Sequence, residues 1–135
     1  MTSTTDLLAA IGTHLAEFEL PEIASVRVEA SPPGPPVTVQ LPHRGPAALA
    51  QGLLAWADTL AEVTAHTWRS SDGDSVHLSV TGLLPGGVAV RVYGGMRLTR
   101  RGPGADLAPG ASAVLPLATL CHLATPGQLT EEATL

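Results

Sequence analysis

At 135 residues the chain has the size of one domain, which hides about two-thirds of its unfolded surface without needing covalent staples. It carries seven basic residues, all arginine, a single cysteine and a net charge of −5, and only 14% of its residues are charged. These numbers exclude an internal disulfide, lysine Schiff-base chemistry (pyridoxal phosphate attachment included) and a P-loop lysine, and they disfavour a general polyanion binder.

Lysine and asparagine are both absent, which fits a GC-rich coding bias and weakens any functional meaning of arginine over lysine. The segment Met1 to Asp6 has no basic region, so no secretory signal is expected. No apolar run approaches the roughly 20 residues of a membrane span, and the expected compartment is the cytoplasm.

In chain order, residues 6–20 carry helical spacing, with Leu7, Leu8, Ile11, Leu15 and Phe18 on one stripe. Hydroxyls at Ser3 to Thr5 are positioned to cap this helix, Asp6 favours its positive end, and Pro21 stops it. Residues 23–30 alternate, with Ala24, Val26 and Val28 on one face and Ser25, Arg27 and Glu29 on the other. After the turn Pro32-Pro33-Gly34-Pro35-Pro36, residues 37–41 alternate again. A loop of Ser31 to Gly34 sets Val28 opposite Val37 and Val26 opposite Val39, the register that burial selects.

Pro46 opens a second helical pattern over 46–63, with Leu49, Leu53, Trp56, Ala57, Leu60 and Val63 as its buried stripe. Three strands are expected at 65–71, 75–82 and 88–93, separated by Asp72-Gly73-Asp74 and Pro85-Gly86-Gly87. A two-residue Asp-Gly turn places Trp68 opposite His77 and Thr67 opposite Leu78, which mixes apolar and polar residues on a face. A three-residue loop from Asp72 to Asp74 instead pairs Trp68 with Leu78 and His66 with Val80, and is the expected register. Val90 and Val92 then join Val76, Leu78 and Val80 in the core row.

Residues 94–111 are expected to form a loop, with Gly94-Gly95 as a turn and a short edge strand over Met96 to Thr99. Ser112 to Leu115 form a further short strand. Pro116 to Ala124 form a last helix with Leu117, Leu120 and Cys121 inward. The whole predicts an α+β two-layer sandwich, in the order α-β-β-α-β-β-β: an antiparallel sheet of about five strands with both long helices on one face. Residues 1–124 are one domain and 125–135 a disordered tail.

With one face covered, the other displays Arg27, Glu29, Thr38, Gln40, Thr67, Arg69, His77, Ser79, Thr81, Arg91 and Tyr93. In the expected register Arg69 sits across from His77, and Tyr93 across from Ser79. Arg69, His77 and Tyr93 thus make a candidate site of anion-binding, acid–base and stacking groups. The competing account is an ordinary solvated sheet face. Arg97, Arg100 and Arg101 form a second candidate, a basic loop suited to an acidic partner or simply a solvated tip.

Other chemistries lack support. His14, His43, His66, His77 and His122 lie on different elements without ligand spacing, and Asp72 and Asp74 suit a turn, so no metal site is expected. Cys121 is expected to be a small buried hydrophobe, no serine lies in a G-x-S-x-G elbow, and no catalytic residue or cofactor is assigned. Only Tyr93 offers a base-stacking ring on the open face, which with the acidic balance argues against nucleic acid. The resulting expectation is a non-enzymatic binding or accessory protein, a homodimer that also holds a protein partner through the open face or the loop 97–101. The alternative is a small-ligand binder or small enzyme built on His77, Arg69 and Tyr93.

Overall fold

A computed structural model describes residues 3–30, 33–42, 44–100 and 102–125. The expected tail from residue 126 onward, together with His43 and Arg101, lies outside the described residues. The elements run α1 (Thr4–Glu17), β1 (Ser25–Val28), β2 (Val37–Gln40), α2 (Pro46–Ala57), β3 (Ala61–Arg69), β4 (Ser75–Leu83), β5 (Ala89–Arg97), β6 (Ser112–Leu115) and α3 (Leu117–Leu123).

Ser3 caps α1 as expected: its hydroxyl accepts from the Asp6 amide at 3.1 Å, and the Asp6 carboxylate accepts from the Ser3 amide at 3.3 Å. The first hairpin takes the predicted register, with Val26 against Val39 and Val28 against Val37. The six strands form one sheet in the order β1-β2-β5-β4-β3-β6. Five antiparallel strands were expected; the sheet is mixed, because β2 and β5 pair in parallel. The cause is parity. Helix α2 reverses the chain so that β3 runs with β2, and the following meander brings β5 back in the same sense beside β2.

Helix α2 is shorter than its apolar stripe suggested. It ends at Ala57, and Val63 belongs to β3. Glu62 sits at φ 53°, where the pairing of β3 with β4 shifts register between Ala61 and Thr64.

The β3–β4 register also differs from expectation. Trp68 faces His77, His66 faces Ser79 and Thr67 faces Leu78. The turn is closed by the Ser70 amide donating to the Ser75 carbonyl at 2.9 Å. Asp72 caps it by accepting from Ser70 Oγ and from the Asp74 amide, and Gly73 supplies the positive φ of 81°. Four residues, not three, lie between the closing pair. The even count moves Trp68 and His66 to the uncovered face and turns Thr67 and Arg69 toward the helix side.

Gly94 and Gly95 are not a turn. Both lie inside β5, which runs on through Met96 to Arg97 and absorbs the separate edge strand expected there. Gly94 is opposite Leu78, and Leu49 of α2 fills the space that a Cβ at Gly94 would need. The core between sheet and helices joins Val37, Val39, Val76, Leu78, Val80, Val90 and Val92 to Leu7, Ile11, Leu49, Leu53, Trp56 and Leu120. Leu8, Phe18 and Leu117 are exposed at 54%, 38% and 41%, and Cys121 is exposed rather than inward. Among the described residues no helix is long and apolar enough to cross a membrane.

Candidate functional site

The face of the sheet opposite the helices is read most easily as rows of side chains across the strands. One row runs Arg27, Thr38, Arg91, Thr81 and Thr64 over β1, β2, β5, β4 and β3. The next holds Ser25, Gln40, Tyr93, Ser79, His66 and Val114. A third holds Gly95, His77, Trp68 and Ser112. Successive rows lie about 7 Å apart, two residues along each strand.

The third row contains the densest packing on this face. Trp68 and His77 stack with ring centroids 4.9 Å apart and planes 8° from parallel. Tyr93 leans against both, at 6.2 Å from Trp68 and 6.4 Å from His77. Gly95 makes the arrangement possible: a Cβ there would come within 3.1 Å of His77 Nε2, so the imidazole lies directly over the β5 backbone. Beneath the stack His77 Nδ1 is buried and has no hydrogen-bond partner among the described residues, and burial pushes the His77 pKa below its usual value. A neutral imidazole at neutral pH is therefore one more flat, weakly polar ring in the patch.

Two hollows lie on this face, the first of them beside Trp68. One, of about 400 Å³, is lined by His66, Trp68, Ser79, Arg91, Gly110 and Ser112. The other, of about 150 Å³, lies where Arg27, Thr38 and Arg91 meet the proline-rich loop at Pro33 to Pro36, with Glu29 at its rim. Arg91 lines both and connects them into one shallow trough.

The expected Arg69–His77–Tyr93 cluster is only partly assembled. Tyr93 faces Ser79 as predicted and lies near His77, but Arg69 does not face His77. It pairs with Val76, and its guanidinium donates to the Gly73 carbonyl at 3.0 Å and the Leu107 carbonyl at 2.7 Å. Arg69 is a clamp between the β3–β4 turn and the loop after β5. Thr67, also expected on the open face, is buried on the helix side. Trp68 and His66 take the vacated places. Their signal in the sequence is the Asp-Gly turn, whose even register mixes apolar and polar residues on a face and is the one the strands adopt.

Arg27 and Arg91 are on the open face as expected, both exposed. Arg97 ends β5 and Arg100 lies in the following loop, both exposed. Arg101 is outside the described residues. Among the described residues no three His, Cys, Asp or Glu side chains gather in a way that would hold a metal ion. Comparisons with protein-family models, curated proteins and solved structures find no match for this chain.

Chemically, the site offers flat rings, two forked cations and several hydroxyls. Ser79 stands opposite His66 within this set.

Proposed function

We propose that the protein is a non-enzymatic binding protein of the cytoplasm that docks another protein on the uncovered face of its sheet. The observation that carries this is the Trp68–His77–Tyr93 patch on a face that no helix covers. Aromatic side chains and arginines are the groups that anchor protein interfaces, and here they share one trough. The shallow hollows suit a segment laid across the sheet rather than an enclosed small molecule. The exposed, unpaired Cys121 fits a reducing compartment.

The test is capture by the immobilised protein from a lysate of the producing cells, compared across two variants. Trp68→Ser is expected to lose the captured protein, and Leu8→Ser, which changes an exposed apolar residue on α1, to retain it. Retention by Trp68→Ser, or loss by Leu8→Ser alone, moves the interface elsewhere.

A second copy of the chain is a separate partner, favoured by one observation at the β6 edge, next to the strand that carries Trp68. The outer side of β6 is an unpaired edge among the described residues, and Val114 within it is 67% exposed, with Leu117 exposed at the start of α3. Sedimentation equilibrium is expected to give a dimer that Val114→Glu converts to monomer. A strictly monomeric parent protein rules out this second reading.

A further inference from the structure

The trough carries two kinds of chemistry at a fixed spacing, and that spacing points to a ligand. Arg27 and Arg91 flank Thr38 on adjacent strands, so their Cα atoms are about 10 Å apart, close enough for both guanidiniums to converge above the threonine. Neither arginine has an ion-pair partner or a hydrogen bond among the described residues; the single ion pair there joins Arg44 to Glu22. Two forked cations left free beside a hydroxyl form a receptor for carboxylate. The Trp68–His77 stack lies two rows further along the strands and one to two strands across from Arg91, about 15 Å from it and about 20 Å from Arg27, and Arg91 lines the hollow that Trp68 also lines.

The three rows contain two arginines, two histidines and no carboxylate, with Glu29 the one acid lining the hollow beside Arg27 and Arg91, although the chain as a whole is acidic at −5. The positive charge of this face is therefore local. It is too small and too isolated for a nucleic-acid backbone, which needs a continuous basic track and is repelled by the remainder of the surface. Two arginines against Glu29 leave a surplus of one positive charge, which is enough for one carboxylate.

We propose that the trough binds an acidic peptide segment bearing an aromatic side chain, its carboxylate held by Arg27 and Arg91 and its ring laid on the Trp68–His77 stack. This rests on the binding function proposed above and names the partner's chemistry.

Selection of random short peptides displayed on phage against the immobilised full-length protein tests it, with enriched peptides synthesised and titrated at physiological salt. Enriched peptides are expected to combine an acidic residue with an aromatic one. Arg27→Gln and Arg91→Gln are each expected to weaken binding about tenfold, as loss of a charge-assisted contact should. Trp68→Ala is expected to weaken it at least as much, while Arg97→Gln leaves it unchanged. Loss on Trp68→Ala with no effect of either arginine change overturns the acidic ligand and leaves the binding face standing. Enriched peptides without acidic residues, or displacement of peptide by oligo(dT) at physiological salt, also overturn it. Peptides that bind all variants equally remove both this ligand and the face.

Discussion

Trp68 and His77 lie ring on ring across the β3–β4 pair, 4.9 Å between centroids, and the imidazole is covered by the indole on one side and by the Gly95 backbone on the other. That enclosure is why burial holds the His77 pKa below its ordinary value. The titration midpoint of the His77 ring protons, followed by NMR, is expected below 6.5. Trp68→Ala uncovers the ring and is expected to move the midpoint upward. A midpoint unaffected by that change would remove the stack as the cause.

The other tryptophan has a histidine of its own. His14 of α1 stacks on Trp56 of α2 at 5.6 Å, and its Nε2 is 2.7 Å from Thr59 Oγ1. Thr59 Oγ1 donates to the Trp56 carbonyl, so the Nε2–H donates to Thr59 and His14 is the Nε2–H tautomer. Nδ1 is buried without a hydrogen-bond partner among the described residues, and desolvation lowers the pKa. The folded protein thus binds a proton at His14 less readily than the unfolded chain. Stability is full above the unfolded value of about 6.5 and declines as pH falls below it. Urea midpoints are expected to fall between pH 7.5 and 5.5, and to fall less in His14→Gln. Thr59→Val leaves the Nε2–H without an acceptor and is expected to cost about 1–3 kcal/mol at pH 7.5.

Two adjacent glycines should respond to alanine in different ways. Gly94→Ala drives a methyl into Leu49 and is expected to cost about 1–3 kcal/mol through overpacking. Much of that loss is expected to return in Gly94→Ala/Leu49→Ala, which a double-mutant cycle in urea measures. Gly95→Ala pushes on the His77 ring instead. Its effect is expected in the His77 titration and in binding, with a smaller change in stability.

The arginines separate just as cleanly. Arg69→Ala deletes two hydrogen bonds from a charged donor to the Gly73 and Leu107 carbonyls. It is expected to cost about 1.5–3 kcal/mol and to open the loop after β5 to limited proteolysis. Arg69→Lys is not expected to restore it, because one ammonium cannot reproduce the planar fork. Arg91→Ala is expected to leave the thermal midpoint nearly unchanged, within about 0.5 kcal/mol.

Much of the fold was legible in alternation and turn chemistry. The β1–β2 register followed from matching Val26 and Val28 with Val39 and Val37, where polarity and pleat agree. The β4–β5 register followed likewise. The β3–β4 register differs from the one that keeps each face uniform, because Trp68 pairs with His77 on the open face. The turn decided otherwise, since Asp72 and Ser70 close an even-numbered loop and the pleat carries Trp68 outward with it. That one slip hid the aromatic patch and put Arg69 in a site to which it does not belong. The parallel β2–β5 pairing was invisible for another reason: alternation fixes which face a strand shows, never which strand lies beside it. Gly94 looked like a turn residue because nothing in its local sequence announces a helix side chain pressing from above.

The parallel seam has a kinetic meaning. Strands β3, β4 and β5 are joined by short turns and can form from local contacts, whereas β2 meets β5 across about fifty residues of intervening chain, a closure that slows folding. Hydrogen exchange is thus expected to find α1, β1 and β2 opening as a unit ahead of the meander. Arg27 and Thr38 stand on one side of the seam, and Arg91, Tyr93, His77 and Trp68 on the other. A ligand bridging the trough then works as a stitch, and its binding energy is felt first at the part of the molecule that comes apart most easily.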